Sequence, residues 1–143
     1  YEKTKAHVLQ LKDYIEANAG EWVLTHIDAV PDNFLFVEEN GKEEIRLIDW
    51  EYAGMCDPLV DVAMCAIYSY YTDEETERLI RVYLEREPSL DERYSVYAHM
   101  ALGGFLWSLW AVYKASLGEE FGEYTIIMYR YAKHFYKKCR DIG

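Results

Sequence analysis

The sequence predicts a mainly α-helical protein with one small β-hairpin, and three observations carry that expectation. Helical spacing and capping signals follow one another from Asp57 to the last residues. Asn40-Gly41, the strongest short hairpin-turn signal, separates two runs of strand composition, 34–37 and 45–48. Before them, Val8, Leu11 and Ile15 recur at three- and four-residue steps, the signature of an amphipathic helix.

Taken in order, the first helix is expected over 1–19, with Asn18 and Gly20 as its stop signal. Lys3, Lys5 and Lys12 on it read as a solvated face. Residues 22–24 are short enough for a strand or a buried connector. If Asn40-Gly41 is a two-residue turn, Glu39 pairs with Lys42, Phe36 with Ile45 and Asn33 with Ile48. Residues 49–56 show no periodicity and read as a loop. Asp57-Pro58 then looks like an N-cap with proline at the first helical position. The helix behind it is apolar almost all round, and Asp61 in its first turn suits the positive end of the helix dipole. Thr72 with Glu75 forms a capping-box-like start to a helix that runs to the break at Pro88. Ser89 opens a long helix ending near Gly118. Gly103-Gly104 inside it costs about 1 kcal/mol per glycine relative to alanine, so close backbone packing or substrate approach is expected there. A last helix over 121–140 places Tyr124, Met128, Tyr131 and Phe135 on one stripe.

Composition bounds the function. A chain of 143 residues, 51% hydrophobic and 16% aromatic, suits one domain with a real core, 1–143. A net charge of −11 argues against nucleic acid or an anionic membrane surface and is compatible with a cationic substrate. Three cysteines without CxxC spacing suggest free thiols and a reducing, cytoplasmic setting. No apolar run is long enough to span a bilayer. The four histidines show no metal-ligand spacing.

The chemistry concentrates between Leu24 and Pro58. The hairpin register brings Asn33 next to Asp49, at the same end of the ribbon as Asp28. Mg²⁺ takes oxygen ligands, commonly one or two carboxylates with water and phosphate completing the set, and Asn33 with Asp49 fits that sparse pattern. Asp28 could accept a proton from an attacking hydroxyl. Phosphoryl transfer asks the protein mainly for positioning and charge neutralisation. The competing reading makes Asp28 and Asp49 turn and cap residues flanking a surface hairpin. Trp107 and Trp110, three apart on one helix face, divide evenly between core packing and an aromatic wall for a quaternary ammonium group. Glu51 and Asp57 could add negative charge nearby.

His26-Ile27-Asp28, then Asn33, then after a hairpin Ile48-Asp49-Trp50-Glu51, resembles the catalytic half of the choline kinase and aminoglycoside phosphotransferase superfamily. The Trp107/Trp110 helix tilts the resemblance toward choline kinases of the bacterial type. These motifs cover about a third of the chain and match in both spacing and intervening hairpin. The resemblance implies the C-terminal lobe of a protein-kinase-like fold. By it Asp28 is the catalytic base, Asn33 and Asp49 bind Mg²⁺, His26 braces the loop, and the tryptophans form the cation wall. It also offers Asp61 a second role, a hydrogen bond back to the catalytic loop, although a purely structural role for Asp57 and Asp61 is the favoured expectation. Ile27 departs from the pattern, since a small or polar residue is commoner there. No glycine-rich phosphate loop or strand-borne lysine is present, so ATP is expected to be gripped by an N-terminal lobe absent from this chain. The expected reaction is ATP-dependent phosphorylation of a small cationic alcohol, choline first. The alternatives are an aminoglycoside or other amino-alcohol kinase, or a catalytically silent choline-binding or interaction module.

Overall fold

A computed structural model describes residues 1–18 and 20–143. The predicted helical balance is present, with five α-helices and two small antiparallel ribbons among the described residues. Helix α1 spans Glu2–Ala17, and Asn18 caps its end by returning its side-chain amide to the Tyr14 carbonyl at 2.8 Å. The last residue of the expected helix, Ala19, lies outside the described residues. Val8 and Leu11 are buried as their spacing requires.

Strands β2 (Phe34–Glu39) and β3 (Lys42–Leu47) pair in the expected register, Phe36 opposite Ile45 and Glu39 opposite Lys42. Beyond the ladder the Ile48 N–H donates to the Asn33 carbonyl at 3.0 Å, which carries the pairing to the site. A second ribbon corrects the loop expected over 49–56. Val23–Thr25 forms strand β1 and pairs with Gly54–Cys56, strand β4, with Thr25 opposite Gly54. The Thr25 hydroxyl adds a bond to the Gly54 carbonyl at 2.8 Å. Three-residue strands contain too little alternation to announce themselves.

Helix α2 covers Leu59–Tyr68, starting one residue later than expected. Asp57 still caps it, its Oδ1 accepting the Leu59 N–H at 2.8 Å. Helices α3 (Asp73–Leu84) and α4 (Leu90–Ser116) both begin in complete capping boxes, Thr72 with Glu75 and Ser89 with Glu92. Helix α5 is Tyr124–Ile142. The 27-residue α4 is the axis of the molecule, packed against α1, α2 and α5. Its two glycines serve backbone packing. A Cβ on Gly104 would lie 2.7 Å from the Met128 carbonyl oxygen and 2.9 Å from the Ala132 nitrogen of α5, and one on Gly103 would collide with the end of the Met64 side chain. Ala63, Ile67, Met100, Met128 and Phe135 fill the shared core.

Candidate active site

Asp28 follows β1 on a loop whose backbone is held from below. The Asp61 carboxylate, in the first turn of α2, accepts the N–H of His26 at 2.9 Å and of Ile27 at 2.7 Å. Asp61 therefore takes the second of its two expected roles while keeping its place in the first turn. Ile27 has φ +68°, a left-handed conformation that a β-branched residue rarely adopts, and this is the position where the sequence departs from the family pattern. His26 is 1% exposed. Its Nε2–H donates to the Ile48 carbonyl at 2.8 Å, and the Trp50 ring meets the imidazole edge-on at 4.8 Å. The histidine thus ties the loop to the residue before Asp49 and touches no open space.

A single 3₁₀ turn, Pro31–Asn33, returns the chain to β2 and buries Asn33. The Asn33 amide nitrogen donates to the Asp28 backbone carbonyl at 2.9 Å and reaches its carboxylate at 3.4 Å. That orientation leaves Oδ1 as the free oxygen of the side chain. Asp49 is exposed at the end of β3, with φ +63°, and makes no hydrogen bond or ion pair among the described residues. No group of three or more His, Cys, Asp and Glu among the described residues could hold a metal ion.

Above the loop lies an open cleft of about 560 Å³. Its walls include the carboxylates of Asp28, Asp32 and Glu51 and the rings of Tyr52, Tyr68, Trp107, Trp110 and Tyr124, with no lysine or arginine. Asp28, Glu51, Trp107 and Trp110 are therefore brought together as the sequence proposed, whereas His26, Asn33 and Asp49 stand outside the cleft walls. Asp57 does not contribute its charge there. Its second oxygen accepts the Ser95 hydroxyl at 3.0 Å, because the residue is committed to joining α2 and α4.

Trp107 belongs both to the core packing and to the lining of the cleft. It packs against the core cluster and meets Tyr68 at 5.7 Å and Trp110 at 5.7 Å, while lining the cleft. Trp110 lies farther out, against Phe121 at 4.9 Å. Tyr68 and Tyr124 were not legible as site residues, since both fall on helices whose tyrosines look like packing. Burial, and then the neighbouring Asp28 carboxylate, pushes the Tyr68 phenol far above its ordinary range. Its hydroxyl and the Trp107 indole N–H are both buried without a hydrogen-bond partner among the described residues.

Residues 2–102 match the phosphotransferase enzyme family. Over 107 residues the chain is 31% identical to Protein LicA of Haemophilus influenzae, an alignment covering 71% of this chain and 39% of that protein. In structure it is similar to the choline kinase LicA of Streptococcus pneumoniae, with TM-score 0.76 and 31% identity over 96% of this chain and 48% of that one. A choline/ethanolamine kinase family protein from Mesorhizobium loti gives TM-score 0.73 at 25% identity, covering 99% of this chain and 46% of that one. The chain thus spans less than half the length of the relatives it matches.

Proposed function

The chain belongs to the phosphotransferase enzyme family, and on that footing we propose that it supplies the alcohol-binding half of an ATP-dependent kinase acting on choline. One observation carries the proposal: three carboxylates and five aromatic rings, and no basic residue, line a single cleft that contains the candidate proton acceptor, while Lys114, whose ammonium lies 5.7 Å from the Trp110 ring, is neutralised by Glu119. Such a cleft favours a cation by charge, and ring faces add about 0.5–2 kcal/mol for each good cation–π contact. The likeness to a choline kinase supports a quaternary ammonium group as that cation.

In this reading the trimethylammonium head rests against Trp107 and Trp110, with Glu51 and Asp32 balancing its charge. The hydroxyl is directed to Asp28, which would take its proton as the oxygen bonds to the γ-phosphorus of ATP and the bond to the bridging oxygen breaks, releasing ADP. Asn33 fixes the Asp28 backbone through its amide nitrogen, and His26 and Asp61 hold the loop from beneath. The free Oδ1 of Asn33 and the unpaired carboxylate of Asp49 fit the oxygen donors Mg²⁺ prefers, too few to form a site before phosphate oxygens join them. When bound, Mg²⁺ would neutralise charge on the transferring phosphoryl group. The grip on the remaining phosphates is assigned to a nucleotide lobe outside these residues.

Calorimetric titration with choline and with its uncharged isostere 3,3-dimethylbutanol tests the reading. Choline should bind at least several-fold more tightly. Equal binding of the two alcohols would remove the cation wall from the account.

A further inference from the structure

Charge on this protein is unevenly placed. The chain as a whole is −11, yet α5 carries five lysines and arginines and one aspartate. Arg130, Lys133, Lys137 and Arg140 fall within about a quarter of the helix circumference, and all four are exposed. Among the described residues Arg130, Lys133 and Lys137 form no ion pair, whereas Lys138 and His134 on the adjacent strip are both held by Asp73. Glu120 and Glu123 bound the cationic stretch at the start of α5, so it occupies the last three turns of the helix.

Beside these cations is a cleft of about 430 Å³ between α4, α5 and the start of α1. Leu109, Val112, Ile126 and Tyr129 supply apolar wall, Arg130 and Lys133 complete it, and no carboxylate lines it. Val112 and Ile126 are each 56% exposed. Aliphatic side chains next to unpaired cations match one kind of partner in particular. A phospholipid surface presents phosphate and hydrocarbon together, while nucleic acid offers phosphate without hydrocarbon.

We infer that the C-terminal turns of α5 and the adjoining cleft form a docking face for a bilayer containing anionic phospholipid. The net charge of −11, which taken over the whole chain argues against an anionic surface, is outweighed by the local charge of this face. Charges are screened beyond about 8–10 Å at physiological salt, so the bilayer responds to the face turned toward it. Each lysine or arginine near an anionic leaflet strengthens partitioning about fivefold. Exposed aliphatics at the interface add to it. The inference stands apart from the choline reading, because none of these residues lines the Asp28 cleft.

The test is co-sedimentation of a chain long enough to carry the proposed nucleotide lobe with vesicles of phosphatidylcholine alone and of phosphatidylcholine with about one-third phosphatidylglycerol. The protein should partition onto the second and not the first, and about 0.5 M salt should release it. A variant carrying Arg130→Gln, Lys133→Gln and Lys137→Gln should bind about a hundredfold more weakly with an unchanged thermal transition. Val112→Ser with Ile126→Ser should weaken it several-fold. Undiminished binding by the triple variant, or no binding to the anionic vesicles at low salt, would overturn the inference. So would a dimer that the triple variant converts to monomer, which would make this face a contact between copies.

Discussion

Asp61 holds His26 and Ile27 by their backbone N–H groups, at 2.9 and 2.7 Å, with one oxygen for each. A side chain in the first turn of α2 thereby fixes the residue immediately before the proposed proton acceptor. The grip matters because Ile27 sits at φ +68°, a strain of about 1–3 kcal/mol for a residue of this kind. Asp61→Asn leaves only one accepting oxygen, and hydrogen bonds to charged groups contribute about 1.5–3 kcal/mol each. The variant is expected to lose stability in that range by denaturant melting. In a chain long enough to carry the proposed nucleotide lobe, choline binding should weaken less than turnover, since small misplacement of a reacting group can cost about a hundredfold in rate. Unchanged turnover would remove Asp61 from loop positioning.

Asp28→Asn tests the proton acceptor itself. In a chain long enough to carry the proposed nucleotide lobe, kcat should fall about 10²–10⁴-fold, with choline affinity by calorimetry nearly unaltered. Near-normal turnover would move the role elsewhere.

The two tryptophans should separate on replacement by leucine. Trp107 packs on the core cluster as well as lining the cleft. Trp107→Leu is therefore expected to lower the thermal transition and weaken choline together. Trp110→Leu should keep the transition and lose discrimination between choline and 3,3-dimethylbutanol, the signature of a lost ring face. Retained discrimination in both variants would leave the rings as packing alone.

Neighbouring glycines give opposite expectations. Gly104→Ala places a methyl group against the α5 backbone, which cannot yield locally, and should cost about 1–3 kcal/mol. Gly103→Ala meets the flexible end of Met64, and its helix-propensity gain of about 1 kcal/mol offsets part of the crowding. Urea melts of the two variants compare them directly. Equal destabilisation would show that α4 and α5 are not in backbone contact at Gly104.

Acid should unfasten the start of α4. Arg86, and then the Ser89 backbone N–H, hold the Glu92 carboxyl down to about 2 from an ordinary 4.5. A depressed carboxylate stabilises the fold above its unfolded value and loses that contribution as the pH falls toward about 2. Water screens this partly exposed side chain, so the effect is limited to a few degrees in the thermal transition. Glu92→Gln should flatten the pH dependence in that window and lower the transition at neutral pH. An unaltered acid profile would place the sensitivity in other carboxylates.

What the sequence made legible follows from how each signal is carried. The β2–β3 register was readable because Asn40-Gly41 fixes it locally, and the pairing of Asn33 with Ile48 came with it. The same register sets Asn33 beside Asp49 on sequence alone, whereas the direct bonds from Asn33 to Asp28 depend on the 3₁₀ turn and were not legible. The β1–β4 ribbon was not, because its strands have three residues each and no turn joins them. The capping boxes at Thr72 and Ser89 were explicit in side-chain chemistry. Tyr68 and Tyr124 were hidden, since an aromatic on a helix has the same spacing whether it packs or lines a cleft. Asp57 and Asp61 looked alike as acidic residues at one helix start. The resemblance offered Asp61 alone a bond to the loop, and tertiary contact bears out the difference, with Asp57 joined to Ser95 and Asp61 to the loop of Asp28. The cations of α5 vanish in a total dominated by acidic residues elsewhere.

The pairing of Thr25 with Gly54 has a topological consequence. His26, Asp28, Asn33, Asp49 and Glu51 all belong to one excursion of the chain, drawn shut at its neck by β1 and β4. The outer arm of that excursion ends at Asn40-Gly41, exposed and away from the neck. Loop-closure entropy grows only logarithmically, by about 0.6 kcal/mol for each doubling of length. A lineage could therefore lengthen or trim the arm, and an engineer could splice an epitope into its tip, without relocating the groups clustered at its base.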